Sequence, residues 1–157
     1  VRQKKNVVVS TETKDELLLV LDGIKDPGNL GTIIRLADWY GIPNIVCSED
    51  TVEFYNPKVI SATMGSFTRV QVGYTQLETW LKNYPSTIYG AFLNGENMHQ
   101  MQFTKPAALL IGSESHGIRS EIEPYISSKI TIPCFGGAES LNAGVATGII
   151  LDNLVRN

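Results

Sequence analysis

The sequence is poor in the features that mark several classes of protein. It has two cysteines among 157 residues, Cys47 and Cys134. Two are too few for a disulfide framework, so we expect both to be buried, reduced thiols of a cytoplasmic protein. No apolar run approaches the ~20 residues that a membrane-spanning helix needs. The formal net charge of -3 argues against a dedicated nucleic-acid clamp, because such proteins are usually basic.

Several ligand-binding motifs are also missing. His99 and His116 have no cysteine or carboxylate at metal-ligand spacing, so we expect no metal site and an exposed loop position for His116. The phosphate-binding pattern GxxxxGK[ST] does not occur. The first strand–helix turn reads "GIKDPGNLG", which is not the GxGxxG of dinucleotide-binding folds. Neither cysteine has a neighbouring basic residue that would favour a nucleophilic thiolate.

What is present is an alternation of short apolar runs with helical patterns. This alternation predicts an α/β domain whose parallel sheet is covered by helices on both faces. The predicted strands are 16–21, 44–47, 69–73, 87–93, 107–111 and 129–132. The predicted helices are 29–40, 57–65, 76–83 and 140–155, with one helical turn at 120–125.

Three polar, glycine-containing segments follow predicted strands, at the sheet edge where ligands bind in such folds. In the first, 22–35, Asn29 can cap the next helix, and Gly31 permits close approach of another backbone or of a ribose. Arg35 is either a solvated surface residue or a ligand-binding one. The second segment, 112–117, is either a plain tight loop or a binding loop. The third, 133–142, places glycines just before a helix, whose first N–H groups lack helical partners.

Together and in this order, the three segments resemble the motifs of the SpoU-type (TrmH-like) RNA 2′-O-methyltransferases of the SPOUT superfamily. "DPGNLGTIIRLADWYGI" resembles the first motif, "LLIGSESHGI" the second and "IPCFGGAESLNAGVATGIIL" the third. The resemblance covers residues 17–154. The departures are small: Cys134 stands where the family often has methionine, and "NAGVATG" stands where "NVSVAAA"-like sequence is common.

The resemblance implies a particular architecture. We expect residues 1–157 to form one methyltransferase domain with a mostly parallel sheet and a C-terminal deep trefoil knot. Small residues suit the chain crossings of such a knot, namely Gly136, Gly137, Ala138, Ala143 and Gly144. Many members carry an upstream RNA-binding domain, which we expect this chain to lack. Members are homodimers that bury the first-motif helix and the C-terminal helix, so Trp39 and Tyr40 are either interface anchors or core residues.

The resemblance also implies a reaction, the transfer of a methyl group from S-adenosylmethionine to a ribose 2′-hydroxyl of rRNA or tRNA. By the family pattern the cofactor-binding residues are Leu93, Gly95, Gly112, Ile132 and Leu141. The catalytic residues are Arg35, Asn29, Glu114, Ser140 and Asn142. Arg35 would grip the ribose-phosphate and stabilise the developing alkoxide, or act as a general base. Asn29 would orient Arg35 or the ribose. Because the net charge is -3, we expect these residues alone to bind RNA weakly.

Two other functions remain open from the residues alone. The first is a non-catalytic RNA-binding or dimerisation module, against which the joint presence of Arg35, Asn29 and Asn142 counts. The second is a nucleotide-dependent oxidoreductase, against which the missing dinucleotide-binding turn counts.

Overall fold

The computed structural model describes residues 9–157, so the first eight residues of the predicted domain lie outside the described part. The strands are β1 (Leu17–Asp22), β2 (Asn44–Ser48), β3 (Gln71–Thr75), β4 (Thr87–Asn97), β5 (Ala107–Gly112) and β6 (Ser128–Thr131). The α-helices are α1 (Pro27–Trp39), α2 (Pro57–Ala62), α3 (Leu77–Asn83) and α4 (Ala143–Arg156). Short 3₁₀ helices lie at Ser66–Thr68, Met98–Gln100 and Glu123–Tyr125.

The six strands form one sheet in the order β3-β2-β1-β5-β4-β6, and every pairing in it is parallel. The prediction of an α/β fold with a parallel sheet is therefore confirmed. β1 pairs with β5 along its whole length, from Leu17 opposite Ala107 to Asp22 opposite Gly112. All six residues of β1 are buried, because a central parallel strand is covered on both faces.

Helices cover both faces of the sheet, as the alternation predicted. Leu19 of β1 belongs to a core cluster with residues of α1, α2 and α4. Leu18 points the other way, into a second cluster that contains Trp80 of α3. Successive strand residues face opposite sides, so the unbroken apolar run of β1 feeds both clusters. The arrangement leaves the carboxyl ends of β4, β5 and β6 beside the start of α4.

Several element ends differ from the predicted ones for local reasons. The carboxylate of Asp26 caps α1 by accepting the backbone N–H of Asn29 at 3.0 Å, so the prediction that Asn29 is the cap is wrong. α2 ends at Ala62 rather than residue 65, and Met64 two residues later has φ 51°, which a helix cannot contain. α4 begins at Ala143 rather than residue 140, because Asn142 is its N-cap.

The two cysteines differ in their surroundings. Cys47 is buried in the core, as expected, and burial raises the pKa of its thiol. Cys134 is exposed, so the prediction of two buried thiols is wrong for it. Across residues 9–157, no helix has the length and apolar character needed to cross a membrane. The same residues contain no group of His, Cys, Asp and Glu side chains that could hold a metal ion.

Candidate active site

A cavity of about 660 Å³ opens at the carboxyl ends of β4, β5 and β6, beside α4. Small-molecule sites typically have volumes of about 300–1,000 Å³. Its apolar lining includes Ile111, Ile130 and Ile150. Six of the ten predicted site residues also line it: Leu93, Gly112, Glu114, Ile132, Ser140 and Leu141. The cavity is therefore the place where most of the predicted site comes together.

An irregularity in β4 shapes one wall of the cavity. The pairing of β4 with β6 shifts register between Ala91 and Glu96, and residues 92–94 line the cavity. The hydroxyl of Thr131 donates to the carbonyl oxygen of Leu93 at 3.1 Å and holds this segment. Gly95 does not line the cavity; a Cβ there would come within 2.7 Å of the β6 backbone. The structure thus gives Gly95 a packing role in the irregular strand, where the resemblance implied a cofactor contact.

The three motif segments meet at the carboxylate of Glu114. Its Oε1 atom accepts hydrogen bonds from Asn29 Nδ2 at 2.5 Å and from Asn142 Nδ2 at 3.0 Å. The same oxygen accepts the backbone N–H of Ala143 at 3.3 Å. Asn142 Nδ2 also donates to Asn29 Oδ1 at 2.9 Å. Three predicted catalytic residues therefore form one network that ties α1, the turn after β5 and the start of α4 together.

The network is built onto the N-terminus of α4. Asn142 caps this helix, because its Oδ1 accepts the backbone N–H groups of Gly144 at 2.9 Å and Val145 at 3.2 Å. Its amide nitrogen is thereby directed towards Glu114. The first N–H groups of a helix favour a negative charge beside them, and the Glu114 carboxylate supplies it. The side chain of Asn142 thus joins a helix cap to the network.

The turn after β5 is a tight loop, as one alternative had it, and it also lines the cavity, so the binding-loop alternative stays a prediction. Backbone hydrogen bonds close it, from Ser113 N to Gly117 O at 3.2 Å and from Gly117 N to Ser113 O at 2.8 Å. Gly117 has φ 67°, a conformation that favours glycine. A Cβ on Gly112 would overlap the backbone of Gly117 and Ile118. Gly112 is therefore required by the turn itself.

A charged cluster on the far side of this turn was missed by the sequence reasoning. Asp22, at the end of β1, is 1% exposed and forms an ion pair with Arg119. Arg119 also reaches Asp50, which pairs with Lys25 at 3.1 Å. A hydrogen bond from Ser48 is the largest of the contributions that hold the pKa of Asp50 below its usual value. A charged residue at the end of an apolar strand was the one available signal for this cluster.

Arg35 stands apart from the cavity and the network. It lies on the exposed side of α1, and within the described residues its side chain forms neither a hydrogen bond nor an ion pair. Asp38, three positions further along α1, instead accepts hydrogen bonds from Arg69 and Ser66, which lower its pKa. Asn29 contacts Glu114 and not Arg35, so the expectation that Asn29 orients Arg35 finds no support. Among residues 9–157 no partner occupies the guanidinium of Arg35, so it is available to a ligand outside this part of the chain.

The segment between β6 and α4 forms an open rim of the cavity. Phe135 is 95% exposed, and Cys134, Ser140 and Leu141 are exposed as well. From Cys134 to Leu141, no backbone N–H donates a hydrogen bond to another described residue. Unpaired N–H groups beside an apolar cavity are suited to polar atoms of a bound molecule. The site therefore offers apolar walls and backbone donors, and its lining also carries the titratable side chains of Glu114, His116, Cys134 and Glu139.

The chain is similar to known proteins along most of its length. The family model described as the "SpoU rRNA Methylase family" matches residues 16–152. The chain is 40% identical over 145 residues to the 23S rRNA (guanosine-2′-O-)-methyltransferase RlmB of Blochmanniella floridana, covering 89% of this chain and 57% of the relative.

Two solved structures are similar over nearly the whole chain. One is an AdoMet-bound rRNA methyltransferase from Sinorhizobium meliloti, with TM-score 0.87, 30% identity and coverage of 96% of this chain and 61% of that one. The other is the SpoU methyltransferase AviRb from Streptomyces viridochromogenes in complex with AdoMet, with TM-score 0.83, 28% identity and coverage of 92% and 58%. The chain thus spans somewhat more than half the length of these relatives.

Proposed function

Because the chain belongs to the SpoU rRNA Methylase family, we propose that it transfers a methyl group from S-adenosylmethionine to a ribose 2′-hydroxyl of RNA. The observation that carries this proposal is the convergence of the three motif segments on one cavity through Asn29, Glu114 and Asn142. A relative at 40% identity acts on a guanosine of 23S rRNA. The acceptor is accordingly a ribose of rRNA or tRNA, with a 23S rRNA guanosine as the first candidate.

The cavity fits S-adenosylmethionine in size and chemistry. Its volume of about 660 Å³ suits a nucleoside with an amino-acid tail, and its apolar walls suit the faces of an adenine. The backbone at Gly112, Ile132 and Leu141 would hold the adenosine part, with Leu93 completing the wall. The free N–H groups between Cys134 and Leu141 provide donors for its polar atoms. Glu114 and Ser140 lie on the same lining, where the reacting end would be held.

The bound cofactor supplies a methyl group on a sulfonium sulfur, which is reactive without further activation. The chain must then hold the 2′-oxygen in line with the sulfur–methyl bond, and such alignment can supply about 7–11 kcal/mol. The 2′-oxygen would form the new bond to the methyl carbon while the sulfur keeps the electron pair of the broken bond, and the hydroxyl proton would pass to water. A guanidinium stays protonated at neutral pH and is a poor base. Arg35, which lies outside the cavity lining, would therefore act from the RNA side, by gripping the ribose-phosphate and stabilising the developing negative charge.

A homodimer is part of the same proposal. Trp39 on α1 is 82% exposed, so the alternative that it is a core residue is wrong, whereas Tyr40 packs partly against the core. Val145 and Ile149 on α4 are exposed as well, and α4 packs against α1. Such an apolar face is typical of an interface between subunits. Light scattering at micromolar concentration should give twice 17.2 kDa, and Trp39→Glu should give the monomer mass. A wild-type monomer would contradict the dimer.

We also propose that the C-terminal part of the chain forms a trefoil knot and that the protein is cytoplasmic. Small residues between Gly136 and Gly144 support the knot, because they permit close chain crossings. An experimental structure traced through residues 112–157 would decide the knot. A cytoplasmic location is supported by the proposed substrate, because a relative acts on 23S rRNA.

The experiment that tests the function is a tritium-transfer assay on the RNA substrate with the full-length enzyme. Arg35→Ala should lower transfer by roughly 10²–10³-fold, the scale for losing one charge-stabilising donor. It should leave the affinity for S-adenosylmethionine nearly unchanged, because Arg35 does not line the cavity. Lys82→Ala, which removes a cation on α3 across the sheet, is the matched control and should transfer normally.

The same assay separates the alternatives. RNA with a single 2′-deoxy substitution at the target nucleotide should bind but accept no methyl group. Methylation of that nucleotide would make a base the acceptor. Wild-type transfer by Arg35→Ala would make Arg35 a plain surface residue. Binding of RNA without any transfer would favour the non-catalytic module, and binding of NAD in calorimetry would favour the oxidoreductase.

A further inference from the structure

A buried ion pair lies behind the turn that carries Glu114. The side chain of Asp22 is completely buried at the end of β1, whereas that of Arg119 is 39% exposed. A carboxylate without contact to water has to be compensated by hydrogen bonds and an opposite charge, and Arg119 supplies both. This pair belongs to neither the cavity lining nor the Glu114 network.

Arg119 holds Asp22 with both its backbone and its side chain. Its backbone N–H donates to Asp22 Oδ2 at 2.8 Å, and its Nε and Nη2 donate to Asp22 Oδ1 at 2.8 Å and 2.5 Å. Its Nη1 and Nη2 also reach Asp50 beyond β2, at 3.4 Å and 3.3 Å. A guanidinium can make all these bonds at once because its donors form a fixed fork. Arg119 is thus attached to the ends of two neighbouring strands.

Only a short and rigid stretch of chain separates Arg119 from Glu114. The hydrogen bonds between Ser113 and Gly117 close the turn, and Ile118, directly before Arg119, is buried in the core cluster that contains α3. A displacement of Arg119 would therefore be transmitted to the turn, because the turn has little freedom of its own. Glu114 on that turn accepts the bonds that join α1 to α4.

We propose that Arg119 is a positioning residue, which fixes the turn after β5 to the end of β1 so that Glu114 and the cavity wall are set for S-adenosylmethionine. The identity of the ligand rests on the proposed function. The positioning itself rests on the contacts of Asp22, Arg119 and Glu114. No contact between Arg119 and the cofactor is involved, since Arg119 lies outside the cavity lining.

The test compares Arg119→Lys and Arg119→Gln with the wild type in calorimetry with S-adenosylmethionine. Lysine keeps the charge but loses the fork, and glutamine keeps one donor group without charge. Both should weaken binding by at least about tenfold, which corresponds to about 1.4 kcal/mol of binding free energy. The control is Arg156→Gln, which breaks an exposed ion pair with Asp152 on α4 and should leave binding unchanged.

A double-mutant cycle separates positioning from a general loss of stability. If Arg119 acts through Glu114, the double variant Arg119→Gln/Glu114→Gln should bind about as weakly as the weaker single variant. If the losses of affinity in the two single variants multiply in the double variant, the proposal is overturned. It is also overturned if Arg119→Gln lowers the melting temperature but binds S-adenosylmethionine as well as the wild type does. Should a lone buried Asp22 carboxylate prevent folding, Asp22→Asn/Arg119→Gln replaces the ion pair by a neutral one and should show the same weakened binding.

A ligand-free measurement keeps the inference distinct from the proposed function. The amide of Gly117 donates within the turn at 2.8 Å, so its hydrogen exchange reports how firmly the turn is held. Exchange at Gly117 should be at least about tenfold faster in Arg119→Gln than in the wild type, because local opening governs it. Unchanged exchange would overturn the positioning role. If the wild type binds no S-adenosylmethionine, the proposed function fails, whereas faster exchange would still support positioning.

Discussion

Replacement of Glu114 by glutamine tests whether the network that joins the three motifs stabilises the domain. The side chains have nearly the same shape, and an amide oxygen can still accept the bonds from Asn29, Asn142 and the backbone of Ala143. What the change removes is the negative charge. The variant therefore isolates the electrostatic part of the network.

The expected loss follows from these contacts. A hydrogen bond to a charged group contributes about 1.5–3 kcal/mol and a neutral one about 0.5–1.5 kcal/mol, so each bond loses about 1–1.5 kcal/mol before solvent screening. The charge beside the N-terminus of α4 adds about 0.3–1 kcal/mol. Solvent reaches Glu114 and reduces these amounts. We expect Glu114→Gln to lower the free energy of unfolding by about 1–3 kcal/mol. The melting temperature should fall by roughly 2–12 °C, given about 2–4 °C per kcal/mol for a domain of this size.

Thermal and urea unfolding followed by circular dichroism measures the loss, and calorimetry measures S-adenosylmethionine binding. Glu139→Gln is the matched control, because Glu139 also lines the cavity but its side chain forms no hydrogen bond within residues 9–157. Part of the effect should disappear at 1 M salt, where the Debye length is about 3 Å. Equal stability and equal affinity in the Glu114 and Glu139 variants would refute the reasoning, since the bonds to Glu114 would then contribute nothing.

Three further outcomes are expected from the packing and the titrating groups. Gly31→Ala should destabilise the protein by about 1–3 kcal/mol, because the added Cβ overlaps α2. Gly148→Ala should not, because the nearest atom to its Cβ, on Leu36, is 3.4 Å away. Equal melting temperatures of the two variants would contradict this. Cys134 should react with a thiol reagent in the native protein and be protected by S-adenosylmethionine, whereas Cys47 should react only after unfolding, as peptide mass spectrometry can show. Asp38 accepts a hydrogen bond from Arg69, which lowers the pKa of Asp38. The wild type should therefore be more stable than Asp38→Asn above about pH 3.9 and should lose this advantage as the pH falls through the lowered pKa. Urea titrations that show a constant advantage down to about pH 2 would disprove it.

The positions of most strands could be predicted from the sequence, because the strands are short apolar runs bounded by turn residues. β1, β2 and β5 lie within a residue or so of the predicted positions. The prediction was less accurate where side chains far along the chain decide the local structure. Arg69, predicted to begin β3, is drawn to Asp38 on α1, and the strand begins at Gln71. β4 continues to Asn97, beyond the predicted end, because the irregular stretch rejoins β6.

The residues of the site were easier to predict than the hydrogen bonds between them. The resemblance named Glu114, Ser140 and Asn142 as catalytic residues, and the structure places Glu114 and Asn142 in contact. Nothing in the spacing indicated that Asn29 would bond to both of them rather than cap α1. The pair of Asp22 and Arg119 joins residues 97 positions apart, and no local pattern encodes such a contact.

The contacts of these residues suggest how one short turn can serve the whole site. The sheet fixes the end of β5, and Gly112 lets the chain fold back so closely that a Cβ there would overlap the backbone of Gly117 and Ile118. Arg119 holds its far side to β1, and Glu114 holds its near side to α1 and α4. A turn restrained on both sides presents its backbone in one position, which is the preorganisation that a site holding its ligand through backbone groups would require.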